Sequence, residues 1–209
     1  MTENYEQILQ DRLDDRNYER LMALPNPKLH RFVADAIKLC NPRSVFVVTD
    51  SREDIASIRQ QAIEGGEERP LATPGHTVHF DGYRDYLCND QGRDKDNTKY
   101  LVPPRMHLGA KLSSADREEG LVEVRSFLKD SMAGRQMYVR FFSLGPTISV
   151  FSISGVQITD SAYVCHSEDL LFRPGYEQFK RLGESDDFFR VLHSSGELDN
   201  GVSKNMDRK

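Results

Sequence analysis

SVFVVTDSREDIASIRQQAIEGG, residues 44–66, changes its hydrophobic period half-way along. Residues 44–51 form an unbroken apolar run that ends in a polar turn, the pattern of a strand buried on both faces in a parallel sheet. Ser51 then stands where a helix needs an N-cap, and Glu53 and Asp54 place negative charge in its first turn. Ile55, Ile58 and Ala62 make an apolar stripe, and Gly65-Gly66 supplies the stop. A strand followed at once by a helix is half of a βαβ unit. The segment therefore predicts an α/β fold, a mixed β-sheet with packed helices.

The flanking sequence adds elements on both sides. In residues 4–22, Tyr5, Ile8, Leu9, Leu13, Tyr18 and Leu21 recur at helical intervals among charges, with Asp14-Asp15 dividing the stretch into two short helices. Pro27 follows Asn26 as the opening residue of another helix, whose apolar face is Leu29, Phe32, Val33, Ala36, Ile37 and Cys40, and "CNP" ends it. Between Glu67 and Arg105 the patterns thin out around two short strands, "HTVHF" and "KYLV"; a long ordered loop in a compact domain implies a function. "SSADREEGLVEVRSFLKDSMAG" predicts a helix led by Ser113 or Ser114, with Leu121, Val124, Phe127 and Leu128 facing inward. "GRQMYVRFFSLGP", residues 134–146, is a strand carrying two arginines, Arg135 and Arg140. "SVFSISGVQITDSAYVCHS" reads as two or three strands joined tightly, and "YEQFKRL" and "DDFFRVLHSSG" as two short helices. The residues after Gly196 offer almost nothing to bury, which places a single domain at residues 1–200 and a polar tail at 201–209.

The 209 residues suffice to bury a substantial core in one α/β unit. Lys plus Arg number 28 and Asp plus Glu 33, a net charge of −5, which argues against nucleic acid or an anionic membrane as the main partner and leaves room for a local basic pocket. The N-terminus is charged where a signal peptide needs an apolar core, and no apolar run is long enough to span a bilayer, so the expected location is the cytoplasm. Cys40, Cys88 and Cys165 are scattered, lack metal-ligand spacing, and read as reduced thiols.

"HTVHFDGYRD" offers His76, His79, Asp81 and Asp85, types that could ligate a divalent metal, although the spacing matches no standard zinc site and ordinary hydrogen-bonding histidines explain it as well. "GRDKDNTKYLV" gathers Arg93, Lys95 and Lys99 after a glycine. An arginine there could grip a carboxylate or phosphate with two parallel hydrogen bonds; a solvated charged turn is the plainer alternative. Asp160, Ser161 and His166 are the residue types of a catalytic triad, but no GxSxG elbow accompanies them, and Asp160 fits equally as a cap on its own turn. There is no GxxxxGK followed by Ser or Thr and no GxGxxG, so the chain carries no recognisable nucleotide loop.

Five segments in order, "GHTVHFDGYRD", "GRDKDNTKYLV", "GRQMYVRFFSLGP", "GVQITDSAYVCHSEDLLFR" and "FFRVLHSSGELDNGVSKNMD", resemble the N-terminal domain of the GTP-dependent phosphoenolpyruvate carboxykinases, most closely the archaeal-type branch. The resemblance implies a parent enzyme that converts oxaloacetate and GTP to phosphoenolpyruvate, CO2 and GDP in gluconeogenesis, with manganese and magnesium carrying charge. It implies that this domain packs against a C-terminal catalytic domain and lends it a substrate-binding arginine, here Arg93, with Lys95 as the alternative. Family members continue into a phosphate loop, metal ligands and a guanine pocket that these residues lack. The chain alone is therefore expected to hold no catalytic residue, no metal and no activity. Two other readings stand beside this one: a non-enzymatic module for a small dicarboxylate, and a metal-dependent enzyme built on His76, His79 and Asp81. For the two-arginine strand, the expectation is a scaffold whose Gly145-Pro146 turn shapes a cleft wall.

Overall fold

A computed structural model describes residues 5–79, 99–106, 108, 109, 112–196, 198, 199, 202 and 203. The chain opens with α1 (Tyr5–Arg12) and α2 (Asp15–Met22). Asp14 divides them as expected, because its carboxylate accepts the Asn17 N–H and caps α2. Helix α3 (Pro27–Cys40) begins on Asn26, whose side chain accepts from the N–H groups of Lys28 and Leu29, and ends at Asn41 in the left-handed region at φ 51. Strand β1 (Ser44–Val47) and helix α4 (Arg52–Glu64), with Ser51 as N-cap, follow the opening prediction.

Two small ladders come next, β2 (Arg69–Pro70) against β3 (Thr77–Val78) and β4 (Tyr100–Val102) against β5 (Ser114–Asp116). Helix α5 (Arg117–Leu128) leads to the nine-residue β6 (Gln136–Leu144), then β7 (Ile153–Thr159), α6 (Ala162–Leu171), β8 (Arg173–Pro174), α7 (Tyr176–Leu182) and β9 (Phe188–Leu192). The main sheet runs β1-β6-β7-β9, with β8 pairing one end of β6. β1 is parallel to β6 and β9 is parallel to β7, while β6 and β7 are antiparallel. A mixed sheet with packed helices is what the sequence pattern predicted.

Side chains alternate across this sheet as the pleat requires. Val45, Val47, Met137, Val139, Phe141, Val156 and Ile158 all point to one face, where they join Leu9, Leu21, Leu29, Ile37 and Phe179 in the large core. Phe46 and Tyr138 point to the other face, where a smaller cluster holds Val48, Ile58, Ala62, Ala162 and Cys165.

Five local expectations are corrected. β1 is an edge strand with alternating burial, not one buried on both faces. Its free edge is met by α2 instead: Asn17 Oδ1 accepts the Val47 N–H (2.7 Å) and Arg20 donates to the Val47 carbonyl (2.9 Å). α5 starts one turn later than expected, because Ser114–Asp116 pairs with β4 and Asp116 is the cap. Val124 and Phe127 are exposed, and Leu121 and Leu128 are half-buried where α5 and α3 flank an apolar groove of about 780 Å³. "SAYVCHS" is the start of α6, led by Ser161, and "FFRVL" is β9; pairing with β7 decides the second against its helical pattern. No helix among the described residues is long and apolar enough to cross a membrane. Cys40 and Cys165 are free and buried; Cys88 lies outside the described residues.

Candidate functional site

β7 and β9 run parallel, so their carboxyl ends lie side by side, next to the amino end of antiparallel β6. Chain ends of this kind leave backbone groups and loop side chains facing a crevice. A polar cleft of about 710 Å³ opens there, lined by Glu67, Arg69, His79, Arg135, Asp160, Ser161 and Ser195 among others.

Asp160 follows the last residue of β7, and its side chain is fully buried. It does not cap its own turn. It accepts from Ser194 Oγ and the Ser195 N–H, both at 2.9 Å, and pairs with Arg135 at 2.8 Å. Arg135 also donates to the Ser131 and Gly196 carbonyls. The arginine at the mouth of β6 is thus tied to three protein acceptors through one terminal nitrogen. Beside this knot Thr159 Oγ1 and His193 Nδ1 share a hydrogen bond of 2.9 Å, and burial holds the His193 imidazole below its ordinary value while Asp160 opposes that shift.

Ser161 caps α6 by accepting the Val164 N–H. The remaining N–H groups of the first turn are taken by Glu67, whose carboxylate accepts from Ala162 (3.0 Å), Tyr163 (3.1 Å) and the Ser161 hydroxyl. A helix N-terminus attracts anions; here an internal glutamate already occupies it. The backbone carbonyl of Glu67 accepts the Nδ1–H of His79 (2.6 Å), and the His79 ring stacks on Tyr163 with centroids 3.6 Å apart. Arg69 is exposed at the rim.

The triad types do not converge. Ser161 is bound to Glu67 and to its own helix, whereas His166 sits beneath α6 with Nδ1 on Glu68 at 2.6 Å. His76 is exposed on the β2–β3 hairpin and His79 is half-buried. Asp81 and Asp85 lie outside the described residues. Among the described residues no three His, Cys, Asp or Glu side chains are placed to hold a metal ion. Arg93 and Lys95, in the sequence between β3 and β4, also lie outside the described residues. The Gly145-Pro146 turn joins the opposite ends of β6 and β7, away from this cleft.

Glu67 and Glu68 went unnoticed in the sequence because they stand in a charged run just after a glycine stop. Their partners lie 94–98 residues further along the chain, and no local pattern reports such pairing. Arg140 was flagged, and its position is now clear: its side chain is 1% exposed and pairs with Asp169 of α6. It belongs to the interior and not to the cleft.

Residues 31–208 match the family described as the phosphoenolpyruvate carboxykinase N-terminal domain. The chain is 49% identical over 205 residues to the phosphoenolpyruvate carboxykinase (GTP) of Thermococcus sibiricus, covering 98% of this chain and 32% of that protein. It is 50% identical over 202 residues to the protein of the same name from Pyrococcus horikoshii, with 96% and 32% covered. It is 31% identical over 183 residues to that of Corynebacterium efficiens, with 82% and 28% covered. The chain thus spans about a third of the length of its archaeal relatives. With the family match running from α3 to the end of the described strands, the chain belongs to the phosphoenolpyruvate carboxykinase N-terminal domain family.

Proposed function

We propose that the chain is the substrate-side domain of a GTP-dependent phosphoenolpyruvate carboxykinase, acting on oxaloacetate and GTP to give phosphoenolpyruvate, CO2 and GDP. The observation that carries this reading is the match of residues 31–208 to the family's N-terminal domain. The chain's part is to bind and orient the substrate carboxylate. In this reading manganese, magnesium and the guanine nucleotide act from the catalytic domain. The isolated chain is inactive in this reading, and the enzyme works in the cytoplasm.

The electrostatics of the cleft support a loop cation as the substrate contact. Arg135 is neutralised by Asp160, and the α6 N-terminus is filled by Glu67. Arg69 is exposed at the rim, and we assign the grip on the substrate carboxylate to Arg93 of "GRDKDNTK", with Lys95 as the alternative. At the far end of the sheet Ile148, Val150, Phe151, Leu170, Leu171 and Phe189 are exposed. Apolar groups gathered at one end of a domain suit a covering partner, here the catalytic domain.

The test is steady-state kinetics on the full-length protein. Arg93→Ala removes a forked, charge-assisted contact of about 1.5–3 kcal/mol, a tenfold to hundredfold fall in kcat/KM for oxaloacetate. The KM for GTP stays unchanged, and Arg93→Lys recovers part of the loss because an ammonium cannot form the fork. Wild-type behaviour in Arg93→Ala with a crippled Lys95→Ala moves the role to Lys95. Wild-type behaviour in both overturns the assignment of the loop.

A further inference from the structure

Helix α6 is seated on the sheet by apolar contacts of Ala162 and Cys165 and by a layer of charged side chains. Its buried residues are Ala162, Cys165, His166 and Glu168, and it packs on the face of β6 that carries Tyr138 and Arg140. Arg140 reaches from the middle of that strand to Asp169, whose side chain is 10% exposed. One turn earlier, His166 meets Glu68 at 2.6 Å. Glu168, 6% exposed, stands between His166 and Asp169 along the helix. Glu68 Oε2, Glu168 Oε2, Asp169 Oδ2 and Arg140 Nε have no hydrogen-bond partner among the described residues.

Three carboxyl groups thus share this layer with one guanidinium and one imidazole. A buried carboxylate without its own counter-charge is costly, whereas a protonated carboxyl is far less so. The groups acting on Glu168 are Arg140 from β6 and Asp169 from α6 itself, and Asp169 in turn feels His166 and Asp50. Cys165 is the neutral neighbour on the same helix. α4 meets α6 with apolar Ile58 and Ala62, and Arg173 of β8 is exposed.

We propose that α6 is a proton-controlled latch on the polar cleft: the helix is firmly seated while Glu168 carries a proton, and loss of that proton to solvent loosens the helix together with Ser161 and Tyr163 at the cleft edge. Both of those residues line the cleft, so the under-face of α6 and the cleft share one rigid element. Burial pushes the Glu168 carboxyl up to about 7, with Arg140 opposing the shift and Asp169 adding to it. The seated state therefore holds the proton more tightly than the loosened one, in which Glu168 returns to its ordinary value. The stabilisation is complete below the ordinary glutamate value and is lost as pH rises toward about 7. The latch is independent of which reaction the cleft serves.

Hydrogen exchange of the α6 backbone amides in this chain, corrected for the intrinsic pH dependence of exchange, reads the latch. Between pH 6 and pH 8 the wild type loses about tenfold in α6 protection, the change expected when one carboxyl is raised in the seated state alone. The α3 amides are unaffected over the same range. Glu168→Gln, which keeps the shape and cannot ionise, shows equal protection at both pH values. Wild-type pH dependence retained in Glu168→Gln overturns the proposal, and so does an α6 in the wild type that ignores pH. A carbon-13 titration of the Glu168 carboxyl needs no variant: a midpoint near pH 7 is expected, and a midpoint below pH 5 overturns the latch.

Discussion

Arg140 and Phe141 are neighbours in β6, both fully buried, and stand on opposite faces of the sheet. Phe141 enters the large core, against Tyr176 and Phe179 with ring centroids 5.6 and 4.9 Å away. Arg140 enters a layer of carboxylates under α6. One face is stabilised by removing apolar surface from water, which needs no partner of fixed geometry. The other depends on specific pairs and fails when one member is removed. The cleft lies at the edge of the charged face, where Glu67, Arg69 and Ser161 line it, while Arg140 and Asp169 stay buried behind it.

The contrast can be broken most forcefully at Phe141. Phe141→Ala should cost about 4 kcal/mol by lost transfer energy and the cavity left behind, read as a lower denaturant midpoint, and no second substitution on the charged face should restore it. A cost below 1 kcal/mol would mean that this core carries little of the stability. Next in size, Arg140→Met leaves Asp169 buried without a counter-charge and should cost about 3 kcal/mol. Here the double variant Arg140→Met/Asp169→Leu should recover most of the loss, since replacing a buried pair by apolar groups is often neutral. If the double variant is worse than the single one, pairing is not what this face depends on. The smallest effect belongs to Glu67→Ala, which leaves the Ala162 and Tyr163 N–H groups without their acceptor and should cost about 1–2 kcal/mol. The damage should be confined to α6 amides in hydrogen exchange; a uniform loss across the sheet would deny that Glu67 acts as the cap of that helix.

The two faces were also unequally legible in the sequence. The apolar face could be read directly, because the helical stripe of α3 and the apolar, aromatic run of β6 are local. The caps Asp14, Asn26 and Ser51 were equally local. The charged face joins residues such as Arg140 and Asp169, 29 positions apart, and Glu68 and His166, 98 apart. Each of them looks like a surface residue when read alone. β9 was mistaken for a helix for a related reason: "DDFFRVLH" has no strong period, and its strand state comes from the parallel ladder with β7. Within the candidate site the residue types Asp160 and Ser161 were picked out, but their roles as an arginine partner and a helix cap depend on Arg135 and Glu67, which only the fold brings to them.

The proposal is that this chain supplies the substrate grip of a carboxykinase and that the chemistry comes from the catalytic domain. The measurement that meets it most directly is GTP-dependent formation of phosphoenolpyruvate from oxaloacetate with manganese present, run side by side on the 209-residue chain and on the full-length protein. The account predicts turnover by the full-length protein and none above the blank by the chain alone. Turnover by the purified chain, or its absence in the full-length protein, would contradict it.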